Sequence, residues 1–227
     1  MKRLVLIAAA FMAALLFLSP VVSSPSTQDA NKEELKLQLP KPMFVGTPRN
    51  IKTANLETVT GKPRGPFLVP KGTQLLSAKK SVLSSDMQPV IGDLPFVVDG
   101  EKSGEDGYFV ELGPGRQWVQ IDLGQTAALS AILVWHYHSQ ARVYRDVVVQ
   151  LSETADFSKN VVTVFNNDHD NTLGLGAGKD KEYIETNEGR LIDPKGAPGR
   201  YLRLYSNGNT SNDMNHYVEV EVYGTLK

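Results

Sequence analysis

The stretch 117–152 constrains the fold more than any other part of the chain, because it has the pattern of three consecutive β-strands. Residues 118–123 alternate apolar and polar side chains until Gly124 ends the run. A period of two residues is typical of a strand with one buried face. Residues 131–137 are more continuously apolar, as in a strand covered on both faces, and residues 147–151 alternate again. The core of this protein is therefore predicted to be β-structure.

Short segments of the same kind recur at 88–91, 108–112, 161–165, 182–184, 201–205 and 217–223. Turn-forming pairs separate them, among them Asp99-Gly100 and Asn207-Gly208. Many short strands with glycine-rich turns and almost no helical periodicity predict an all-β sandwich or jelly roll.

The N-terminus has the three parts of an export signal, and we assign residues 1–24 to a signal peptide. Lys2 and Arg3 form the charged region, residues 4–18 are apolar, and small residues follow near the expected cut. An uncleaved anchor is the alternative. Export predicts a secreted, periplasmic or cell-envelope-associated protein, with no transmembrane segment once the leader is removed.

Residues 25–70 have the composition of a proline-rich extended arm or linker, and residues 71–227 form the predicted domain. Apolar triplets at 43–45 and 67–69 favour an arm that docks on the domain, because a solvated spacer has no need of them. A flexible tether to the cell envelope is the alternative. The prolines of this segment include Pro40, Pro42, Pro48, Pro63, Pro66 and Pro70.

Charge and cysteine content exclude several classes of protein. The formal net charge is -1, which provides no basic surface for nucleic acid, so no nucleic-acid partner is expected. The chain has no cysteine. This rules out a disulfide framework, thiolate metal sites and a cysteine nucleophile.

Four motifs follow one another in a characteristic order. The strongest are QWVQIDLG at 117–124 and EVEVYG at 219–224, and between them lie VVVQLS at 147–152 and GRYLRL at 199–204. This ordered set resembles the discoidin domain, also called the coagulation factor V/VIII type C or galactose-binding-like domain. The resemblance covers about residues 70–224 and leaves the arm outside. It implies an eight-stranded antiparallel jelly-roll sandwich whose loops at one end bind a ligand.

The resemblance also implies a structural calcium ion between Asp99, in the Asp-Gly turn, and Glu219, near the end of the last strand. A hard cation prefers carboxylate and carbonyl oxygens from an irregular turn. The threonine usual after this turn is absent, since residues 101–104 are Glu-Lys-Ser-Gly. In the alternative interpretation Asp99 caps the turn and Glu219 pairs with a base such as Arg200 or Arg203.

Sugar-binding members of this family use histidine, arginine, asparagine and aromatic side chains on loops. A pyranose presents hydroxyl groups and an apolar face, so it requires forked donors, amides and a ring. Two loops, at 138–144 and 207–217, supply such groups. The alternative is that these side chains only brace their own loops. The candidate ligand-binding residues are His138, Arg142, Tyr144, Asn207, Asn209, Asn212, Asn215 and His216.

Other residues suggest metal binding. His136 and His138 are two positions apart in a predicted strand, so they are expected to share a face as a candidate metal pair, with His169 or Asp170 as a third ligand. The oxygen-rich run 166–171 lacks the spacing of an EF-hand loop but is a second candidate for calcium.

The sequence thus predicts an exported, non-catalytic binding module for a glycan or cell-surface polysaccharide. One alternative is a protein-interaction or scaffolding subunit that engages its partner through the arm. Another is a metal-dependent hydrolase that uses His136 and His138. An exposed aromatic ring in the loop 138–144 would favour sugar, and a flat apolar patch around Met43, Phe44 and Phe67 would favour a protein partner. No nucleophile motif or marked carboxylate pair supports an enzyme.

Overall fold

The computed structural model describes residues 31–44 and 51–226, so the predicted signal peptide lies outside the described residues. The described chain consists of β-strands and one short 3-10 helix, which confirms the all-β prediction. None of its helices is long and apolar enough to cross a membrane. In chain order the elements are β1 (Lys32–Glu34), β2 (Leu68–Pro70), β3 (Gln74–Leu75), β4 (Ser81–Ser84), η1 (Leu94–Val98), β5 (Val110–Leu112), β6 (Gln117–Trp135), β7 (Val148–Ser152), β8 (Val162–Asn166), β9 (Arg190–Ile192), β10 (Pro198–Ser206), β11 (Asn215–Tyr217) and β12 (Glu219–Leu226).

The longest strand, β6, passes from one layer of the sandwich to the other. The sequence predicted two strands here, separated at Gly124, and that boundary is wrong. Gly124 has a φ of 88°, a conformation that glycine adopts without strain, so the strand bends and continues. The first half of β6 pairs with β10 and β4, and the second half pairs with β12 and β9.

Eight antiparallel strands are connected through β6, which confirms the predicted eight-stranded antiparallel architecture. One layer has the order β4-β6-β10-β7-β8, and the other has the order β9-β6-β12-β3. The main core lies between them: Val119 and Leu204 of the first layer share a buried cluster with Val134 and Val220 of the second. Full burial of such a side chain contributes about 1.5–3 kcal/mol.

The described part of the arm packs on the outer face of the second layer. β1 and β2 form an antiparallel pair, and the N–H of Leu35 donates to the carbonyl of Phe67 at 2.9 Å. Both residues join a cluster that contains Val69 of β2 and Leu133 and Trp135 of β6. The arm residues therefore cover the face of β6 that points away from the main core.

Three loops meet at one end of the sandwich, at 136–147, 167–180 and 207–214. Tyr144 forms an isolated antiparallel bridge with Asn209, and the N–H of Arg145 donates to the carbonyl of Gly208 at 3.0 Å. The N–H of Asn167 donates to the carbonyl of Val147 at 3.0 Å. We call this region the loop end.

Candidate functional site

Two of the predicted ligand-binding asparagines brace the loop end from inside. Asn209 is fully buried; its Oδ1 accepts backbone N–H groups of its own loop, and its Nδ2 donates to the carbonyl of Met214 at 2.9 Å. Asn215 is also fully buried. Its Nδ2 donates to the carbonyl of Gly113, and its Oδ1 accepts the N–H of Gly208, both at 2.8 Å. These amides fix the positions of the loops.

Three more predicted residues occupy varied environments. His138 is fully buried, and its Nε2 lies 2.8 Å from the carbonyl of Lys102, which only an N–H can satisfy. Asn207 is half-buried and donates from Nδ2 to Asp146 Oδ2 at 2.8 Å. Asn212 is exposed on the loop that follows β10.

Tyr144 and His216, also in the predicted set, belong to a buried hydrogen-bonded chain that ends at Glu111. Tyr144 Oη lies 2.9 Å from His216 Nδ1, and His216 Nε2 lies 2.9 Å from Glu111 Oε2. Burial, followed by the positive charge of Arg142 and the influence of His136, lowers the pKa of His216 to about 3. Burial also raises the pKa of Tyr144 well above its usual value. Tyr144 therefore donates to a neutral His216, whose Nε2–H donates to Glu111.

Arg142 is a predicted site residue that keeps a buried donor without a partner in the described structure. It is 5% exposed, and its Cζ lies 4.5 Å from the centroid of the Tyr137 ring. Its Nη2 donates to Gln140 Oε1 at 3.3 Å, its guanidinium also interacts with the Tyr144 hydroxyl, and its Nε has no partner among the described residues. The guanidinium also acts on Glu111, whose pKa burial raises and Arg142 lowers. Forked donors, a carboxylate and a half-buried ring thus converge at one place.

The loop 138–144 presents no exposed aromatic ring, since Tyr144 is 1% exposed. The ring available near the loop is that of Tyr137, which immediately precedes it and is half-buried. The exposed ring that was expected to favour a sugar is therefore not present in this loop.

The candidate metal pair is not formed. β6 ends at Trp135, so the strand alternation that would place His136 and His138 on one face does not extend to them. His136 Nδ1 lies 2.7 Å from Glu185 Oε1, and its ring stacks on Tyr144 with centroids 4.3 Å apart. Within residues 31–44 and 51–226 neither histidine belongs to a group of three potential metal ligands. The geometry gives the hydrolase alternative no support.

The three residues that would mark a flat apolar patch on the arm lie in different places. Met43 is 48% exposed. Phe67 is partly buried against the outer face of β6, and Phe44 lines a cavity between the arm and the segment 183–191. In the described structure these side chains do not form one exposed surface.

Comparison with known proteins identifies the fold. No family model and no curated protein matches the chain. A family 89 glycoside hydrolase from Clostridium perfringens matches with 17% identity and a TM-score of 0.50, over 67% of this chain and 15% of that one. A fucose binding module from Streptococcus pneumoniae matches over 68% of this chain and 99% of its own, with 18% identity and a TM-score of 0.47. A variant of a chitosan-binding module from Paenibacillus sp. IK-5 matches over 66% and 98%, with 17% identity and a TM-score of 0.48.

The match at a TM-score of 0.50 shows that the chain shares its fold with a part of that glycoside hydrolase. At these identities the similarity concerns the fold alone, and a fold of this kind does not specify a ligand. The chain spans 15% of the length of the glycoside hydrolase, so the activity of that enzyme says nothing about this protein.

The predicted calcium ligands are Asp99, in the turn after η1, and Glu219, at the start of β12, whose carboxylate contacts that turn. Glu219 is 1% exposed, and its Oε2 accepts the N–H of Gly100 at 3.1 Å. Burial, together with the negative charges of Glu221 and Asp99, raises the pKa of Glu219 to about 9. The nearby ammonium of Lys102 is paired with Glu221 at 2.6 Å. The surplus of carboxylates around a buried glutamate fits a hard cation.

A second group of carboxylates lies at the loop end. Asp146, Asp168 and Asp170 each bring one oxygen within 4.8 Å of the others, a ligand set that is able to hold a metal ion. Both oxygens of the fully buried Asp168 accept backbone N–H groups, from Thr172 and Leu173 at 2.9 Å. Two of these aspartates belong to the oxygen-rich run seen in the sequence, whereas Asp146 comes from another loop.

Sequence reasoning missed Glu111, Tyr137 and Asp146. Glu111 reaches His216 because these two residues are opposite each other in the β5–β11 pair. Asp146 reaches Asp168 because β7 and β8 are antiparallel neighbours. Such proximity depends on which strands pair with each other, and the local pattern of a single strand does not specify its partner.

Proposed function

We propose that this protein is an exported, non-catalytic glycan-binding module whose ligand binds at the loop end, around Arg142. The observation that carries the proposal is the state of this side chain. It is nearly buried, yet its Nε has no partner in the described structure and its Nη2 has only a long hydrogen bond to Gln140. Buried donors in native proteins are almost always satisfied, so an external acceptor is expected here.

The neighbours of Arg142 match the needs of a sugar. Tyr137 offers a ring, Gln140 an exposed amide, and Glu111 a carboxylate that accepts from hydroxyl groups. A pyranose uses an apolar face for stacking and pairs of hydroxyl groups for a forked donor. The buried amides of Asn209 and Asn215 then have a supporting role, because they hold the loops that carry these groups.

Two further parts of the proposal rest on other residues. The predicted leader at 1–24 supports function outside the cytoplasm, at the cell envelope or beyond it. The buried Glu219 beside Asp99 supports a structural calcium ion, which would tie the turn after η1 to β12.

A glycan array probed with the full chain tests the proposal. Calcium should be present in one experiment and a chelator in another. We expect binding to a limited set of glycans, and weaker binding in chelator if the ion orders the fold. A blank array with protein that shows a cooperative melting transition would contradict glycan binding.

A further inference from the structure

A cleft separates the arm from the segment that precedes β9. The two segments are joined at one end, where the N–H of Glu57 donates to the carbonyl of Glu182 at 2.8 Å. They are joined again at the other end, where Arg64 donates to the carbonyls of Gly189 at 3.0 Å and Glu188 at 2.6 Å. Between these two attachments the segments diverge and enclose a cavity of about 630 Å³.

Three buried polar atoms on residues that line this cleft have no partner in the described structure. Glu185 is 1% exposed and uses Oε1 for His136, which leaves Oε2 unpaired. The hydroxyl of Tyr183 and the Nε of Arg190 are also unpaired. The three atoms are themselves shielded from solvent, behind the open surface of the cleft. Because buried polar groups rarely remain unsatisfied, a polar ligand that reaches them from the cleft would complete them.

The side chains around the cleft are balanced in charge. Glu57, Glu185 and Glu188 are acidic, and Lys62, Arg64 and Arg190 are basic, so three of each kind line it. Arg190 already pairs with Glu57 at 2.7 Å, and its Cζ lies 4.7 Å from the centroid of the Tyr183 ring. An equal number of opposite charges, most of them already in contact with one another, favours an uncharged ligand over an ion.

The unpaired atoms define the ligand chemistry. A carboxylate oxygen accepts, a guanidinium N–H donates, and a phenol does both. Burial raises the pKa of Tyr183 well above its usual value, so its hydroxyl keeps its proton. Phe44 adds an aromatic ring to the lining. Alternating donors and acceptors beside a ring suit a compact ligand rich in hydroxyl groups.

We propose that this cleft, between residues 57–64 and 183–191, is a second binding site that takes a neutral saccharide. Its volume lies in the range of small-molecule sites, about 300–1,000 Å³. One of its walls is the arm, so the site requires residues outside the discoidin-like domain. It does not depend on the loop end, whose ligand contacts Arg142.

The two tryptophans of the chain give a direct readout for the cleft. Trp135 Nε1–H donates at 3.0 Å to the carbonyl of Asn187, a residue of the cleft wall. The ring of Trp118 instead lies against the guanidinium of Arg203, 4.5 Å from its Cζ. The labelled full-length protein is titrated in NMR experiments with galactose, mannose, N-acetylglucosamine and lactose. We expect at least one of these sugars to shift the indole signal of Trp135 saturably. The indole signal of Trp118 should stay in place. No saturable shift of Trp135 with any of the four would overturn the proposal.

Two substitutions separate the cleft from the loop end. Tyr183→Phe removes a hydroxyl that has no internal partner, so the melting temperature should stay unchanged while the affinity measured at Trp135 falls by roughly tenfold. Arg142→Ala should leave the Trp135 titration as it is in the unaltered protein. The proposal is wrong if Tyr183→Phe binds normally, or if Arg142→Ala abolishes the Trp135 shift.

Discussion

The hydroxyl of Tyr144 lies 2.9 Å from Nδ1 of His216, inside the protein, and Tyr144 belongs to the same loop as Arg142. The same tyrosine ring stacks on His136, which bonds to Glu185 at the cleft beside the arm. A buried set of polar and aromatic side chains thus lies between the two proposed binding sites. Its hydrogen bonds position the loop end, and their loss should be measurable as a loss of stability.

Tyr144 and Tyr183 form a matched pair for testing this network. Both are buried, but the Tyr144 hydroxyl bonds to His216, whereas that of Tyr183 has no internal partner. Tyr144→Phe should lower the free energy of unfolding by about 1–3 kcal/mol, because His216 Nδ1 is left unpaired. Tyr183→Phe should leave it unchanged or slightly raised. Equal losses in urea denaturation of the two variants would refute the assigned contacts.

The neutral state of His216 predicts a particular pH dependence. Its pKa is about 3 in the folded protein, against an ordinary value of 6.5, so between these values the unfolded chain binds a proton that the folded protein does not. Stability should therefore fall as the pH falls from about 6.5 towards 3. His216→Gln should flatten that part of the profile, measured by urea denaturation at a series of pH values. A His216 ring that titrates near 6.5 in NMR would contradict this account.

The raised pKa of Glu219 predicts that the stability of the protein changes with pH in the opposite direction. Its pKa of about 9 in the folded protein exceeds the usual 4.5, so without an ion the folded state holds a proton that the unfolded state releases. Stability should fall as the pH rises through this window, and calcium should reverse the fall, since it binds the ionised carboxylate. The rise in melting temperature on adding calcium should grow with pH.

Two carboxylate variants locate the ion. Glu219→Gln should abolish both the calcium effect and the downward slope, whereas Asp146→Asn, at the loop end, should preserve both. Loss of the calcium response in Asp146→Asn instead would place the ion among the three aspartates.

Adjacent residues of β2 test the packing of the arm. Val69 is 2% exposed against β6, and Leu68 is 51% exposed on the opposite side. Val69→Ala should lower the free energy of unfolding by about 1–3 kcal/mol, because it leaves a space beside Leu133 and Trp135. Leu68→Ala should have little effect in the same denaturation experiment. If neither substitution changes stability, the arm does not pack as described.

Much of the fold follows from local sequence pattern. The alternation in 118–123 and 147–151 corresponds to parts of β6 and β7, because one face of each strand is buried. The prediction of strands at 88–91 and 182–184 was wrong. Each of these segments contains only an isolated β-bridge, at Ile91 and at Glu182. β1 was not foreseen, since Lys32–Glu34 is entirely charged and polar and becomes a strand by pairing with β2.

The candidate site was less predictable. The sequence contains side chains suited to a sugar. It does not show which of them are free to bind one, because Arg142 and Asn209 are both polar and differ only in their contacts in the folded protein. Asn209 is satisfied by its own loop, whereas Arg142 retains an unpaired Nε. The cleft beside Tyr183 was not foreseen at all, because its two walls are more than a hundred residues apart in the chain.

The binding of a glycan at Arg142 is the central claim, and calorimetric titration with the strongest ligand from the array tests it most directly. Arg145, an exposed arginine of the same loop, provides the control. Arg142→Ala should weaken binding by roughly tenfold or more while the variant still shows a cooperative melting transition, because hydrogen bonds to a charged group are lost, and Arg145→Ala should bind normally. Unchanged affinity in a well-folded Arg142→Ala variant would show that the glycan does not bind at the loop end.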